Sequence, residues 1–301
     1  MLTSAAVLAI YPPKALYEEI PAVDLNAPLS LRGYQAADRE VIYFGFDLRL
    51  DVKSELKIYT PLIRYLSQAT GREFRIKIYT DYAKLQRALG EGEIQLAAVG
   101  PVTYVMVMIK YGNVVPVAVG KGPGGSPYYR AAIVVRPDSQ IDSLEDLRGR
   151  TLAFGSYYST QGHLIPRVML AEAGVSLSEL GGYAYLGYHQ AVAEAVISGS
   201  FDAGALQDQL AERLAAEGLL RIIALSRPYP RSLIVASQQL PPELIDSIRE
   251  ALVKLNPRGE HANLLPWNLT EFPEGFAPVP PGFYDVYFGL VREYLLQGGR
   301  G

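Results

Sequence analysis

From Val41 onward, short apolar runs alternate with windows whose apolar residues recur every three or four positions, so most of the chain spells strand, helix, strand, helix. Val41–Phe46 reads as the first strand. Glu55–Thr70 reads as a helix with Leu56, Tyr59, Leu62, Ile63 and Leu66 at helical spacing, stopping at Gly71. Strand Phe74–Tyr79, helix Tyr82–Leu89, strand Ile94–Val99, helix Val102–Tyr111 and strand Val114–Val119 follow, and Gly120–Pro127 then breaks the pattern. A second series runs through strand Ala131–Val135, helix Ser143–Leu147, strand Thr151–Phe154 and a helix opened by Ser159-Thr160. Strand Tyr183–Leu186, helix His189–Ser198, strand Asp202–Leu206, helix Gln209–Glu217 and strands Leu220–Leu225 and Ser232–Ala236 continue it. Helices from Pro241 to Leu255 and from Phe283 to Leu296 close the chain.

This alternation predicts an α/β fold of two lobes, each a mixed, mostly parallel sheet flanked by helices. Residues 41–127 with 233–301 make lobe 1 and residues 128–232 lobe 2, with two hinge crossings near 125–135 and 226–236. Residues 1–40, with Pro12, Pro13, Pro21 and Pro28, read as an extended leader or tether. Its apolar start, Met1–Ile10, resembles a secretory signal without a basic region and is too short to span a bilayer. Open α/β sheets bind ligands at the carboxyl ends of their strands, so the expected site is the cleft between the lobes, closed by a hinge.

Composition removes several classes of function. A net charge of -3 and no basic run argue against nucleic acid, and no window holds the ~18 apolar residues of a membrane span. Zero cysteines exclude disulfides and thiolate metal sites, the three histidines are scattered, and no motif asks for a metal or a cofactor. A hydrolase built on Ser159, His189 and Asp202 or Asp208 lacks the G-x-S-x-G context.

What remains is a set of strand-to-helix junctions. Ser159-Thr160-Gln161-Gly162 follows a strand and opens a helix, where unpaired N–H groups and hydroxyls suit an oxyanion; the same residues also suit an ordinary N-cap. His189 opens a second helix after Gly187-Tyr188, as a structural cap or as an oxyanion donor. Asp81-Tyr82, Thr103-Tyr104 and Tyr128-Tyr129 add hydroxyls, which are packing residues singly and a pocket of neutral donors jointly.

These pieces, together with Gly45, Thr70-Gly71, Gly100-Pro101-Val102, the run from Asp138 to Gly149 and Asp202-Ala203-Gly204-Ala205, occur in the order of a known family. Over residues 41–255 the chain resembles the phosphonate, phosphite and phosphate-binding proteins of ABC importers. The resemblance implies a type II periplasmic binding protein that closes on its ligand like a flytrap. It implies a periplasmic or extracytoplasmic binding protein rather than an enzyme, serving an ABC permease or, alternatively, presenting its closed state to a sensor kinase. It places Ser159, Thr160, Gln161, Gly162, His189, Tyr82 and Tyr128 at the oxyanion, with Thr103 and Tyr104 beside them. Two departures stand out. Gln161 replaces the family's commoner second serine, and of the carboxylates that hold an aminoalkyl group only Asp208 has a counterpart. That favours phosphate, phosphite or a small alkylphosphonate, and Arg231 is either a positive end to the cleft or a solvated hinge residue.

Overall fold

A computed structural model describes residues 41–297 of the chain, so the leader expected over residues 1–40 lies outside the described residues. The strands are β1 (Ile42–Phe46), β2 (Phe74–Ile76), β3 (Leu96–Val99), β4 (Val114–Gly120), β5 (Tyr128–Tyr129), β6 (Ala131–Val135), β7 (Thr151–Phe154), β8 (Gly182–Tyr185), β9 (Ala203–Gln207), β10 (Arg221–Leu225), β11 (Tyr229–Pro230), β12 (Leu233–Ser237) and β13 (Phe276–Ala277). The helices are α1 (Val52–Thr70), α2 (Tyr82–Gly90), α3 (Pro101–Lys110), α4 (Ile165–Glu172), α5 (His189–Ile197), α6 (Asp208–Ala216), α7 (Pro242–Lys254) and α8 (Asp285–Val291).

Two sheets result, ordered β13-β4-β12-β3-β1-β2 and β10-β6-β9-β7-β8, and β5 pairs with β11 in a short ribbon between them. The expected parallel pairing holds for β2-β1-β3 and β9-β7-β8. The other pairs are antiparallel. The reason is the direction of entry. β6 and β12 each start at the ribbon and run away from it, opposite to neighbours that end there.

Local chemistry explains the elements. Asp51 caps α1 by accepting the Ser54 N–H at 3.1 Å, and Gly71 ends the helix in the left-handed region. The α1 face of Ile58, Leu62 and Leu66 is fully buried in the core with β1 and α7. Two expected elements are shorter than their patterns, and the first, the strand over Phe74–Tyr79, ends at Ile76. The helix over Ser143–Leu147 is one tight turn, Glu145–Leu147, because Asp146 Oδ2 takes the Asp142 and Ser143 N–H groups and fixes a loop instead.

The crossings are braced. Arg231 is buried, donates to the carbonyls of Tyr128 and Glu271, and lies over the Tyr129 ring at 5.5 Å. It is therefore a hinge strut, not the cleft cation or solvated residue that its sequence context allowed. The Tyr284 and Tyr287 hydroxyls donate to the Arg231 and Pro230 carbonyls at 2.8 and 2.7 Å. The tail then reaches the second sheet's side, where Tyr157 and Arg167 donate to the carbonyls of Leu295 and Tyr294.

One glycine positions the functional helix α5. A Cβ on Gly204 of β9 would lie 2.7 Å from both Val192 Cγ1 and Val196 Cγ2, so α5 sits closer to the sheet than any side chain there permits. Gly204→Val should lower unfolding free energy by about 1–3 kcal/mol in urea denaturation, with α5 displaced. Wild-type stability in that variant would refute the close packing.

Candidate functional site

Strand ends and helix starts converge on one small cavity. Asp47 follows β1, is 1% exposed, and its carboxylate accepts the Gly100 N–H at 2.7 Å and the Thr103 hydroxyl at 2.9 Å. It thus braces the start of α3 at the N-cap residue Gly100 and at Thr103 in the first turn. Two residues on, Arg49 is buried against Glu271, with Nε 3.2 Å from Oε2, and donates to the Tyr59 hydroxyl at 3.3 Å. Glu55 Oε1 fixes this turn by accepting the Arg49 and Leu50 N–H groups.

From the other lobe comes the Ser159-Thr160-Gln161-Gly162 turn. Ser159 is extended, its hydroxyl accepts the Gly162 N–H at 3.0 Å, and residues Thr160–Leu164 form a wide turn before α4. Gly162 is required by space, because a Cβ there would meet Ser159 Oγ at 2.9 Å and His189 Cε1 at 3.1 Å. His189 therefore lies directly on the turn. Thr160 Oγ1 accepts the Val102 N–H of α3 at 3.0 Å, which joins the two lobes.

The cavity between these groups measures about 10 Å³ and is lined by Asp47, Arg49, Tyr82, Tyr129, Ser159, Thr160, Gln161, His189 and Glu271, with Gly100 and Ser232. Three buried polar atoms of that lining lack any hydrogen-bond partner, Arg49 Nη2, Tyr129 Oη and His189 Nδ1, and Glu271 Oε2 has only its ion pair with Arg49. Buried polar groups are normally paired, so this concentration marks a site built for a polar guest. Burial pushes the His189 imidazole down to about 4, so the ring is neutral at pH 7 and can donate one N–H. Burial pushes the Asp47 carboxyl up to about 7, against the pull of Arg49 and of the Gly100 and Thr103 donors. The lining can therefore donate to an oxyanion from Arg49, Tyr129, Ser159 and His189, and Asp47 and Glu271 can accept from a protonated one.

The sequence-predicted residues fare unequally. Tyr82, Ser159, Thr160, Gln161 and His189 come together here, and Gly162 supports them from behind. Gln161 also reaches out of the cavity, donating to the Arg130 carbonyl at 2.8 Å and to Asp208 at 3.4 Å. Asp208 does not line the cavity, since it holds the Arg130 and Gln209 N–H groups at the start of α6. Thr103 stands one bond back, on Asp47. Tyr104 turns away to pack on Tyr284 at 5.5 Å. Tyr128 is 43% exposed and leans on Phe283, while Tyr129 faces the cavity, because successive residues of β5 point to opposite sides. The charged groups Asp47, Arg49 and Glu271 were missed, and the lining is not the neutral set that the tyrosines suggested. Polar Asp47 and Arg49 interrupting an apolar run at a strand end was the available signal; Glu271, in an irregular loop, offered none.

Comparison with known proteins decides the family. Residues 44–276 match the model of the "ABC transporter, phosphonate, periplasmic substrate-binding protein" family, more than half of the chain. The chain belongs to this family. Among its relatives, the phosphate-import protein PhnD of Mycolicibacterium smegmatis is 30% identical over 65% of this chain and 66% of its own length. The probable phosphite-binding protein PhnD1 of Prochlorococcus marinus is 27% identical over 58% and 54%. The matches thus span less than two thirds of either relative. The solved structure of that PhnD1 in complex with methylphosphonate has a TM-score of 0.76 at 20% identity, covering 85% of this chain and 98% of the other, which shows the shared two-lobed fold. A phosphonate-transporter binding protein from Pseudomonas aeruginosa gives 0.73 at 22% identity, covering 84% and 86%.

The Asp47 position makes a pH prediction. Its folded pKa lies above the ordinary 3.8, so the stability it contributes is complete below about pH 4 and is lost as pH rises through about 7. Asp47→Asn should match wild type near pH 4 and exceed it at pH 8 by up to about 4 kcal/mol, read as the difference between paired urea titrations. A difference that does not grow with pH would show that the carboxyl is not held protonated.

Proposed function

We propose that this protein captures a phosphorus oxyanion, such as phosphate, phosphite or a small alkylphosphonate, in the interlobe cavity and delivers it outside the cytoplasm to an ABC permease. The observation that carries the reading is the set of unpartnered buried donors, Arg49 Nη2, Tyr129 Oη and His189 Nδ1, facing one cavity beside the Ser159-Thr160 turn. Family membership supports an importer component rather than an enzyme, and favours import over presentation to a sensor kinase. No helix among the described residues is long and apolar enough to cross a membrane.

Capture needs movement. A five-atom oxyanion exceeds a space that admits about one water, so the lobes must part at the β5–β11 ribbon and close again. Ligand oxygens bonded to both lobes would then supply the preference for the closed state. An ammonium-bearing ligand gains nothing from Asp208, which is spent on backbone donors at α6.

Calorimetry on protein stripped of endogenous ligand should show binding within a panel of phosphate, phosphite, methylphosphonate and aminoethylphosphonate, with the aminoethyl compound weaker than methylphosphonate. His189→Ala should weaken the bound member by about 1.5–3 kcal/mol without unfolding the protein. No heat of binding from any of the four would end this reading.

A further inference from the structure

We propose that the hollow on the Tyr82 side of the oxyanion cavity is a second subsite, receiving a ring-bearing organic substituent carried by the bound oxyanion; this rests on the oxyanion reading above. The hollow measures about 300 Å³, and Tyr82, Tyr157, Tyr158, Tyr185 and Tyr188 are among its lining residues. Tyr82 lines both spaces, so the two adjoin at its side chain.

The sequence builds this arrangement twice. Tyr157-Tyr158 immediately precedes Ser159, and Tyr188 immediately precedes His189. Ser159 and His189 line the oxyanion cavity, and Tyr157, Tyr158 and Tyr188 line the hollow. Each loop thus sends a polar group to the oxyanion cavity and tyrosines to the hollow.

The rings are set before any ligand arrives. Tyr157 is edge-on to Tyr158 at 5.1 Å and to Tyr185 at 5.4 Å. Its hydroxyl is tied to the Leu295 carbonyl, and that of Tyr185 to His163 Nε2 at 3.0 Å. Yet Tyr157, Tyr185 and Tyr188 remain 36–37% exposed, which leaves ring surface free to stack. Fixed rings lose little entropy on binding a planar group, and about 150 Å³ suffices to hold benzene. Asp81 is the one charged residue of the lining, and its Oδ1 accepts the Ala83 N–H at 2.7 Å. A different hollow, of about 230 Å³ and lined by Gln190, Gln207, Gln209 and Asn268, has no lining residue in common with the oxyanion cavity.

The test is calorimetry of methylphosphonate against phenylphosphonate on the full chain. Phenylphosphonate should bind about tenfold more tightly to wild type. Tyr188→Ala should remove most of that advantage while changing methylphosphonate affinity less than about twofold, and Tyr188→Phe should restore it. Equal affinity of the two ligands for wild type, or an equal loss of both in Tyr188→Ala, overturns the subsite and leaves the oxyanion cavity standing. Binding of neither ligand overturns the subsite, and the oxyanion reading falls with it only where phosphate and phosphite give no heat of binding either.

Discussion

The first N–H groups of α3 organise the cleft. A helix start leaves donors that need partners, and Gly100 and Pro101 cannot provide a side-chain cap. The N–H of Gly100, just before the helix, goes to Asp47 from the neighbouring strand end, and the first N–H within it, on Val102, goes to Thr160 of the other lobe. The need that any helix has for a cap has therefore become the contact that holds the lobes together. Because that contact ends in the Ser159-Thr160 turn, closing the cleft also sets the turn, and through Gly162 the His189 ring, against Asp47 and Arg49.

Electrostatics makes the same region selective. Arg49 is surrounded by Glu271, Glu55 and Asp47, all buried, so positive charge does not dominate the cavity. Burial raises the pKa of both Glu55 and Asp47. A fully ionised dianion entering here meets carboxyl groups as well as donors, whereas one carrying a proton gives Asp47 or Glu271 a hydrogen bond to accept. On the proposed reading, proton count thus joins size as a basis for discrimination, because the carboxyl groups accept from a protonated oxyanion and repel a fully ionised one.

Much of this was legible in the chain. Strand and helix periodicity gave both sheets, and the junctions at Tyr82, Ser159 and His189 pointed to the cleft because functional loops in α/β folds follow strands. The parallel bias was overestimated, since periodicity records that a strand exists but not the direction from which it enters a sheet. Tyr128 and Tyr129 could not be told apart for the same reason: two adjacent tyrosines carry no mark of which face is inward. Asp47 and Arg49 were marked only by polar residues interrupting an apolar strand end, Glu271 required three-dimensional proximity across most of the chain, and a resemblance built on the family's shared motifs passes over residues that the motifs do not contain.

The tail tyrosines bear on how this protein would differ from its kin. Tyr284 and Tyr287 grip the backbone of the second crossing, yet they lie beyond residue 276, where the match to the family ends. Part of the bracing of the second crossing therefore lies outside the matched segment, while Arg231 and the β5–β11 ribbon lie within it beside the cleft residues. Two members with the same binding residues but different tails could hold one ligand equally well when closed and still release it on different timescales.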